Sequence, residues 1–281
     1  MEEDQRVTPY PSGESVGAFY DQMSAFFASV FGEHLHFGLW DQDDDSPMET
    51  AQVRLTDRLI DLLNPRSDEY VLDVGCGTGH PAIRLAQRTG ARVLGVSVSS
   101  SQVAGATAAS NSAGLSTRVG FVQADAMKLP YEAGTFDAAW SIEMLFHVPD
   151  RLHVLREIRR TLKPGGRMVL TDFVMLEPLT GQEWELLAQG FAFSSLIHPD
   201  SYADVITRAD LEVVQVHDVT AHTRATTRGI AARFERDKEQ LAAVYGTEFA
   251  AQMELLLPLC LSLVTDKIGY VIAEARRPHD A

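Results

Sequence analysis

The chain has 281 residues, 45% hydrophobic and 22% charged, with 20 glycines and 12 prolines. That composition excludes collagen-like, low-complexity and wholly disordered chains. Its 24 basic and 39 acidic side chains leave a net charge of -15, a surface that repels phosphate backbones and argues against nucleic-acid partners. The two cysteines, Cys76 and Cys260, have neither disulfide nor zinc-site spacing.

The acidic start, Met1-Glu2-Glu3-Asp4, lacks the basic and apolar blocks of a signal peptide. The longest apolar run, 255–264, is broken by Pro258 and Ser262 and falls short of the ~20 residues that span a bilayer. A cytoplasmic chain with no membrane partner is expected. Val16, Phe19, Tyr20, Met23, Phe26, Phe27, Val30 and Phe31 recur at helical spacing, predicting an aromatic helix that Gly32 ends. A turn-like segment, His34-Leu35-His36-Phe37-Gly38-Leu39-Trp40, precedes an acidic loop at 41–46 and a helix at 48–63.

From Tyr70 onward, short β-branched runs alternate with helical patterns, as in a parallel α/β sheet. Strands are predicted at 70–74, 92–97, 119–123, 136–141, 167–174, 211–216 and 268–275, and helices at 80–88, 100–113 and 150–161. The last helix stops at Lys163-Pro164-Gly165-Gly166. Residues 176–210 and 221–265 read as helical insertions flanking the late strands, where such sheets build their substrate side. The predicted fold is an α/β, mostly parallel, seven-stranded sheet with helices on both faces. The chain divides into an N-terminal helical lobe or lid (1–64), a cofactor-binding core (65–175), and insertions with the last two strands (176–281).

Val71-Leu72-Asp73-Val74-Gly75-Cys76-Gly77-Thr78-Gly79 ends a strand in an acid and opens a turn with three alternate glycines, needed where a ligand approaches backbone closely. A dinucleotide fold requires G-x-G-x-x-G, but His80 stands where the third glycine belongs. The run resembles motif I of the Rossmann-like class I S-adenosylmethionine-dependent methyltransferases. The resemblance implies S-adenosylmethionine as cofactor, Gly75, Gly77 and Gly79 beneath its methionine portion, and Asp73 orienting it. Gln123-Ala124-Asp125-Ala126 resembles the family segment whose acid meets the adenine. Phe136-Asp137-Ala138-Ala139-Trp140 resembles the fourth-strand motif, and Ser141 follows it on the cofactor side. Ser97, where the ribose-binding acid normally stands, and Gln102 resemble a subgroup in which serine and glutamine serve the ribose.

Tyr20-Asp21, His36–Trp40, His147-Val148-Pro149-Asp150 and Thr171-Asp172-Phe173 narrow the resemblance to small-molecule natural-product methyltransferases. Rebeccamycin sugar O-methyltransferase and the sarcosine and tocopherol methyltransferases share this layout, as do cyclopropane fatty-acid synthases at greater distance. In those relatives the Tyr20-like and Gly38-like positions close over the cofactor. His147, beyond the fourth strand, is suited to take a hydroxyl proton. Asp172 either orients that imidazole or caps its strand end. Phe146, Phe173, Phe191, Phe193 and Trp140 are expected to make an apolar pocket whose ring faces also stabilise cations.

Methyl transfer to a small, largely apolar secondary metabolite follows, at a hydroxyl with His147 as base. The alternative is C-methylation of an alkene or aromatic carbon of a prenylated or terpenoid acceptor through a carbocation, with cyclisation open to it. Rivals of other classes are an NAD(P)-dependent oxidoreductase and a catalytically silent nucleoside-binding module. No metal is expected. His34 and His36 lack a third ligand. The Asp41, Asp43, Asp45 series departs from a calcium loop at Ser46 and Gln52. Met127 is expected to be packing, and the aromatic first helix permits either an intramolecular lid or exchange with a neighbouring subunit of a homo-oligomer.

Overall fold

The computed structural model describes residues 13–41 and 44–279. The acidic N-terminal start and Asp43 of the acidic loop lie outside them. Seven strands form one sheet: β1 (Tyr70–Val74), β2 (Arg92–Ser97), β3 (Val119–Gln123), β4 (Phe136–Ile142), β5 (Leu162–Met175), β6 (Glu212–Asp218) and β7 (Ile268–Arg276). Their spatial order is β3-β2-β1-β4-β5-β7-β6. β1 pairs in parallel with both β2 and β4, and β7 runs antiparallel to β5 and β6. The chain direction therefore reverses its march at β1 and β4, where the strands' carboxyl ends open a crevice. Val71, Leu72 and Val74 of β1 and Ala138, Ala139 and Trp140 of β4 are buried throughout, as parallel strands covered by helices on both faces must be.

The helices before the sheet are α1 (Gly13–Phe31) and α2 (Met48–Leu63). Within the parallel half lie α3 (His80–Thr89), α4 (Ser100–Ser112) and α5 (Arg151–Thr161). The insertions hold α6 (Gly181–Phe191), α7 (Tyr202–Arg208), the short α8 (Thr220–Thr223), α9 (Ala225–Tyr245) and α10 (Thr247–Lys267). Leu55, Leu59 and Leu63 recur every four residues along α2 and are fully buried, so one face of that helix seals the sheet. Phe26, Phe27, Val30 and Phe31 of α1 join the same apolar cluster as Val71, Trp140 and Leu257. Lobe, core and insertions thus share one interior.

Two expectations needed correction. β5 begins at Leu162, ahead of the predicted 167, because Leu162 pairs with Phe136 across a bulge in the β4–β5 ladder. The Pro-Gly-Gly turn is itself tied to the chain after β7, Gly165 N–H donating to Arg277 O and Arg277 N–H to Gly166 O. Second, α10 is long and apolar enough by composition to cross a membrane. In the fold it instead buries Met253, Leu257, Cys260 and Leu261 against the core, with Leu255 and Leu259 facing outward.

Candidate active site

The carboxyl edge of the sheet holds a cleft of about 780 Å³, open to solvent, whose walls include Tyr20, Gly75, Gly77, Ser97, Gln102, Asp125, Ala126 and His147. Seven of these, Tyr20 to Ala126, are positions the sequence assigns to a cofactor. Gly75 and Cys76 both donate backbone N–H groups to Val96 O at 2.9 Å, folding the loop back over β2. A Cβ on Gly75 would lie 2.4 Å from Met144 Cγ, and φ there is +82°, so both space and backbone geometry demand glycine. Ser97 Oγ donates to Gln102 Oε1 at 2.8 Å, a polar pair on the cleft wall. Asp73 lies behind the loop, in a side cavity shared with Gly75 and Gly77. Burial pushes its carboxyl up to about 7, and Oδ2 has no hydrogen-bond partner among the described residues. A buried acceptor without a donor beside a cradle of bare glycines fits a ligand that carries an ammonium or hydroxyl group.

Three assigned positions do not reach the cleft. Gly38 donates its N–H to Thr226 Oγ1 at 3.0 Å and lies against Ala51 and Trp40, so it serves the packing of α2 and α9. Gly79 caps α3 with φ +77° and makes room for the Phe121 ring and Ala106. Ser141 Oγ donates to Val74 O at 2.9 Å, tying β4 to β1. Trp140 also misses the acceptor pocket, because it sits in mid-strand between Asp73 and Val169, below the sheet edge. Conversely Met127, expected to be packing, lines the cleft, as do Leu35, Glu143 and Met144.

A second cavity, about 490 Å³, adjoins the first. Phe27, Phe31, Phe37, Phe146, Phe173, Phe191 and Phe193 line it, with Leu261 and Val264 from α10. All four phenylalanines assigned to an acceptor pocket are present. Their rings meet at centroid distances of 4.5 Å (Phe146 and Phe193) and 5.0 Å (Phe146 and Phe173), within the range of favourable aromatic pairs. Tyr20, Leu35 and Glu143 belong to both cavities and form the wall between them.

That wall carries the polar chemistry. Tyr20 Oη lies 2.8 Å from His147 Nε2, and His147 Nδ1 lies 2.9 Å from Ala192 O. A carbonyl only accepts, so Nδ1 carries the proton and Nε2 accepts from the Tyr20 hydroxyl. Burial holds the imidazole down to about 4, although its bond to Ala192 opposes this. Burial, with the nearby Glu143, raises the Tyr20 phenol well above its ordinary range. Glu143, at φ +50°, accepts from Phe37 N–H and Tyr270 O–H, both at 2.6 Å on Oε1. Burial pushes its carboxyl up to about 8 despite these donors. Sequence reading missed Glu143, and an acid immediately after a buried strand was the available signal.

Asp172 does not touch His147. Its Oδ2 accepts from Arg151 Nε and from Tyr202 O–H, both at 2.9 Å, in a fully buried setting. The expectation that it orients the imidazole directly fails because Arg151, at the start of α5, takes its outward lone pairs.

A mostly parallel sheet with its switch point at β1 and β4, a glycine loop under an open cleft, and an adjoining apolar cavity are the parts of a site for a cofactor beside an apolar molecule. The chain belongs to the class I S-adenosylmethionine-dependent methyltransferases, in their natural-product branch. Residues 72–170 match the family described as "Methyltransferase domain". The chain is 38% identical to the 27-O-demethylrifamycin SV methyltransferase of Amycolatopsis mediterranei, over 95% of this chain and 98% of that one. It is 33% identical to the (+)-O-methylkolavelool synthase of Herpetosiphon aurantiacus, over 95% of each. Among solved structures, that of the (4+2)-cyclase SpnF superposes with a TM-score of 0.85 at 31% identity, covering 97% of this chain and 99% of that one. These likenesses decide between the methyltransferase and oxidoreductase readings in favour of the first.

Proposed function

We propose that the chain methylates a hydroxyl oxygen of a small, largely apolar secondary metabolite, with Tyr20 and His147 moving the proton. The observation that carries this reading is the 2.8 Å Tyr20–His147 contact: both side chains line the open cleft, and Tyr20 also borders the aromatic cavity. The two relatives named above support it: one is named for an O-methyl product and the other as the methyltransferase of an O-demethyl compound.

S-adenosylmethionine, when bound, supplies a methyl group on a sulfonium sulfur. Gly75, Gly77, Asp73, the Ser97–Gln102 pair and Asp125 would hold it, with Val16 and Tyr20 of α1 along the cleft wall. The phenylalanine cavity holds the acceptor and excludes water, so the reacting oxygen is placed rather than activated strongly; proximity provides most of the rate. When the acceptor oxygen is methylated, its hydroxyl proton would move to Tyr20 Oη, which faces His147 Nε2. Tyr20 passes its own proton to His147 Nε2. A raised phenol stays protonated at neutral pH and relays, whereas the neutral imidazole receives. A weak base suffices, because an oxygen that has accepted a methyl cation is strongly acidic. The reading invokes no metal, nucleic acid or membrane.

One observation favours the second reading, C-methylation through a carbocation: seven phenylalanine rings surround the acceptor space, and ring faces stabilise cations. Labelled S-adenosylmethionine offered with farnesol, and separately with farnesene, separates the two. An ether formed only from the alcohol, with the rate falling roughly 100-fold or more in His147→Ala and Tyr20→Phe, supports transfer to oxygen. A carbon-methylated product from the hydrocarbon overturns it.

A further inference from the structure

Asp172 lies too far into its own ion pair to serve His147 directly, yet the groups around it converge on that histidine. Arg151 is buried at 4% side-chain exposure, and Asp172 at 0%. Beyond Asp172, the guanidinium meets Ser195 twice, Nη1 donating to Oγ and Nη2 to the backbone O, both at 3.3 Å. Ser195 Oγ then donates to Val148 O at 3.1 Å, the residue next to His147. From the same short segment, Ser194 N–H and Ser195 N–H both donate to Phe146 O, at 2.8 and 3.1 Å. Ala192, in the left-handed region at φ +53°, turns its carbonyl onto His147 Nδ1. The 3-10 turn carrying His147 (Leu145–His147) and residues 192–195 are therefore stitched together on both flanks of the imidazole, with the Arg151–Asp172 pair as the shared anchor.

We propose that Asp172, with Tyr202 behind it, is a positioning residue for the proton-accepting nitrogen. It fixes Arg151, Arg151 fixes Ser195, and Ser195 sets where the Ala192 carbonyl meets Nδ1. The consequence is chemical: the Ala192 contact alone decides that Nε2, and not Nδ1, holds the free lone pair facing Tyr20. A network of this cost is not explained by stability. Burying an ion pair costs several kcal/mol per ion before pairing, and apolar replacements are often as stable. Positioning gives the pair a function that apolar side chains lack. The same segment carries Phe193 into the acceptor cavity, so the anchor also fixes the acceptor wall relative to the base.

This inference rests on the proposed role of His147, and the test separates the two. The full chain is labelled with ¹⁵N-histidine, saturated with S-adenosylhomocysteine, and the His147 ring nitrogens are read by NMR in the native chain, Ser195→Ala, Tyr202→Phe and Asp172→Asn. The native chain should show one tautomer, protonated at Nδ1. Ser195→Ala and Tyr202→Phe leave no buried charge unpaired, so they keep the test alive where Asp172→Asn fails to fold. Both should move the two nitrogen signals toward each other as the Nε2-protonated form is populated, more in Ser195→Ala, while S-adenosylhomocysteine affinity stays within about twofold. Folded variants whose ring signals match the native chain overturn the positioning role, because a bracing role alone would lower stability and leave the tautomer untouched. A native chain protonated at Nε2 instead overturns the assignment of His147 as acceptor, and with it the reading on which this inference stands.

Discussion

The open cleft, proposed for the cofactor, and the phenylalanine cavity, proposed for the acceptor, share a wall but are made by different means. The cleft sets glycines and short polar side chains at strand ends, Gly75, Gly77, Ser97 and Asp125 among them, beside aliphatic ones such as Val96, Ile142 and Val148. Each stands at a fixed offset from a strand that the sheet's register holds in place. The cavity is built from bulky rings brought by α1, the turn after it, β5, α6 and the segment beyond α6. A universal cofactor calls for invariant hydrogen-bonding geometry, and a variable acceptor calls for volume and shape. The comparison teaches that damage to the first region should remove all activity, whereas damage to the second should change which acceptor is accepted.

The largest effect that would sharpen this contrast comes from Gly75→Val. Its side chain would collide with Met144 in a backbone conformation that β-branched residues avoid. Misplacing the loop by an ångström is expected to cost roughly 100-fold or more in turnover. Calorimetric titration should show S-adenosylhomocysteine binding lost in parallel. Retained binding would mean that the loop does not contact the cofactor. Phe193→Ala is the counterpart in the other region: cofactor affinity should be unchanged while the range of alcohols accepted widens.

The two regions also differed in how far the sequence revealed them. Gly75, Gly77, Ser97, Gln102 and Asp125 were assigned through the family resemblance, which fixes positions just beyond strand ends, and the fold places all five along the cleft. Phe146 and Phe173 were legible as apolar supply because they stand at the ends of the fourth and fifth strands, and Phe191 and Phe193 because insertions after the fifth strand flank the crevice. Phe27, Phe31 and Phe37 were read as core or turn, because periodicity marks a buried face without saying whether protein or ligand covers it. Asp172 was misplaced for a different reason. Its partner Arg151 stands in the first turn of α5, and only the fold shows that its guanidinium is buried against Asp172. Gly38 and Gly79 were assigned by position in a motif, but they serve neighbours that need the space a side chain would fill.

A smaller effect tests the shared wall. Glu143 accepts two hydrogen bonds on Oε1, so its proton resides on Oε2 in a side chain bordering both cavities. With the carboxyl raised from 4.5 to about 8 by burial, it keeps its proton at neutral pH, and that O–H is a donor available to a ligand in either cavity. Turnover should therefore fall as pH rises through about 8, and Glu143→Gln, a donor at every pH, should flatten that limb. Stability follows the same direction. The folded chain holds this proton more tightly than the unfolded one, so the contribution is complete below about 4.5 and is lost as pH climbs to about 8. Denaturant midpoints between pH 5 and 9 should decline less in Glu143→Gln. An alkaline limb identical in the variant would assign the titration to another group.

The smallest effect concerns how α1 is seated over the cleft. Asp21, one residue from Tyr20, accepts from Ser99 Oγ at 2.5 Å, Ser101 N–H at 3.1 Å and Ser101 Oγ at 2.7 Å on Oδ1, and from Ser100 Oγ at 3.1 Å on Oδ2. These bonds, led by those from Ser99 and Ser101, hold its carboxyl down to about 2. They sit at the N-terminus of α4, where a negative charge is favoured, and Gly17 lies against Val98 O beside them. The carboxylate is largely exposed, so water competes and the latch is weak. Asp21→Asn keeps the size and loses the charge. It should speed S-adenosylhomocysteine dissociation by roughly 3- to 10-fold, the scale of a charge-assisted hydrogen bond reduced by solvent, with stopped-flow fluorescence as the readout. Because the depressed carboxyl titrates only as pH falls from 3.8 toward about 2, the native latch stays charged across the working range and the difference between variant and native should not vary with pH above 5. A difference that grows with pH would place the latch elsewhere on α1, and an unchanged dissociation rate would show that the phenylalanines of α1, packed against α9, hold the helix down without help from its charge.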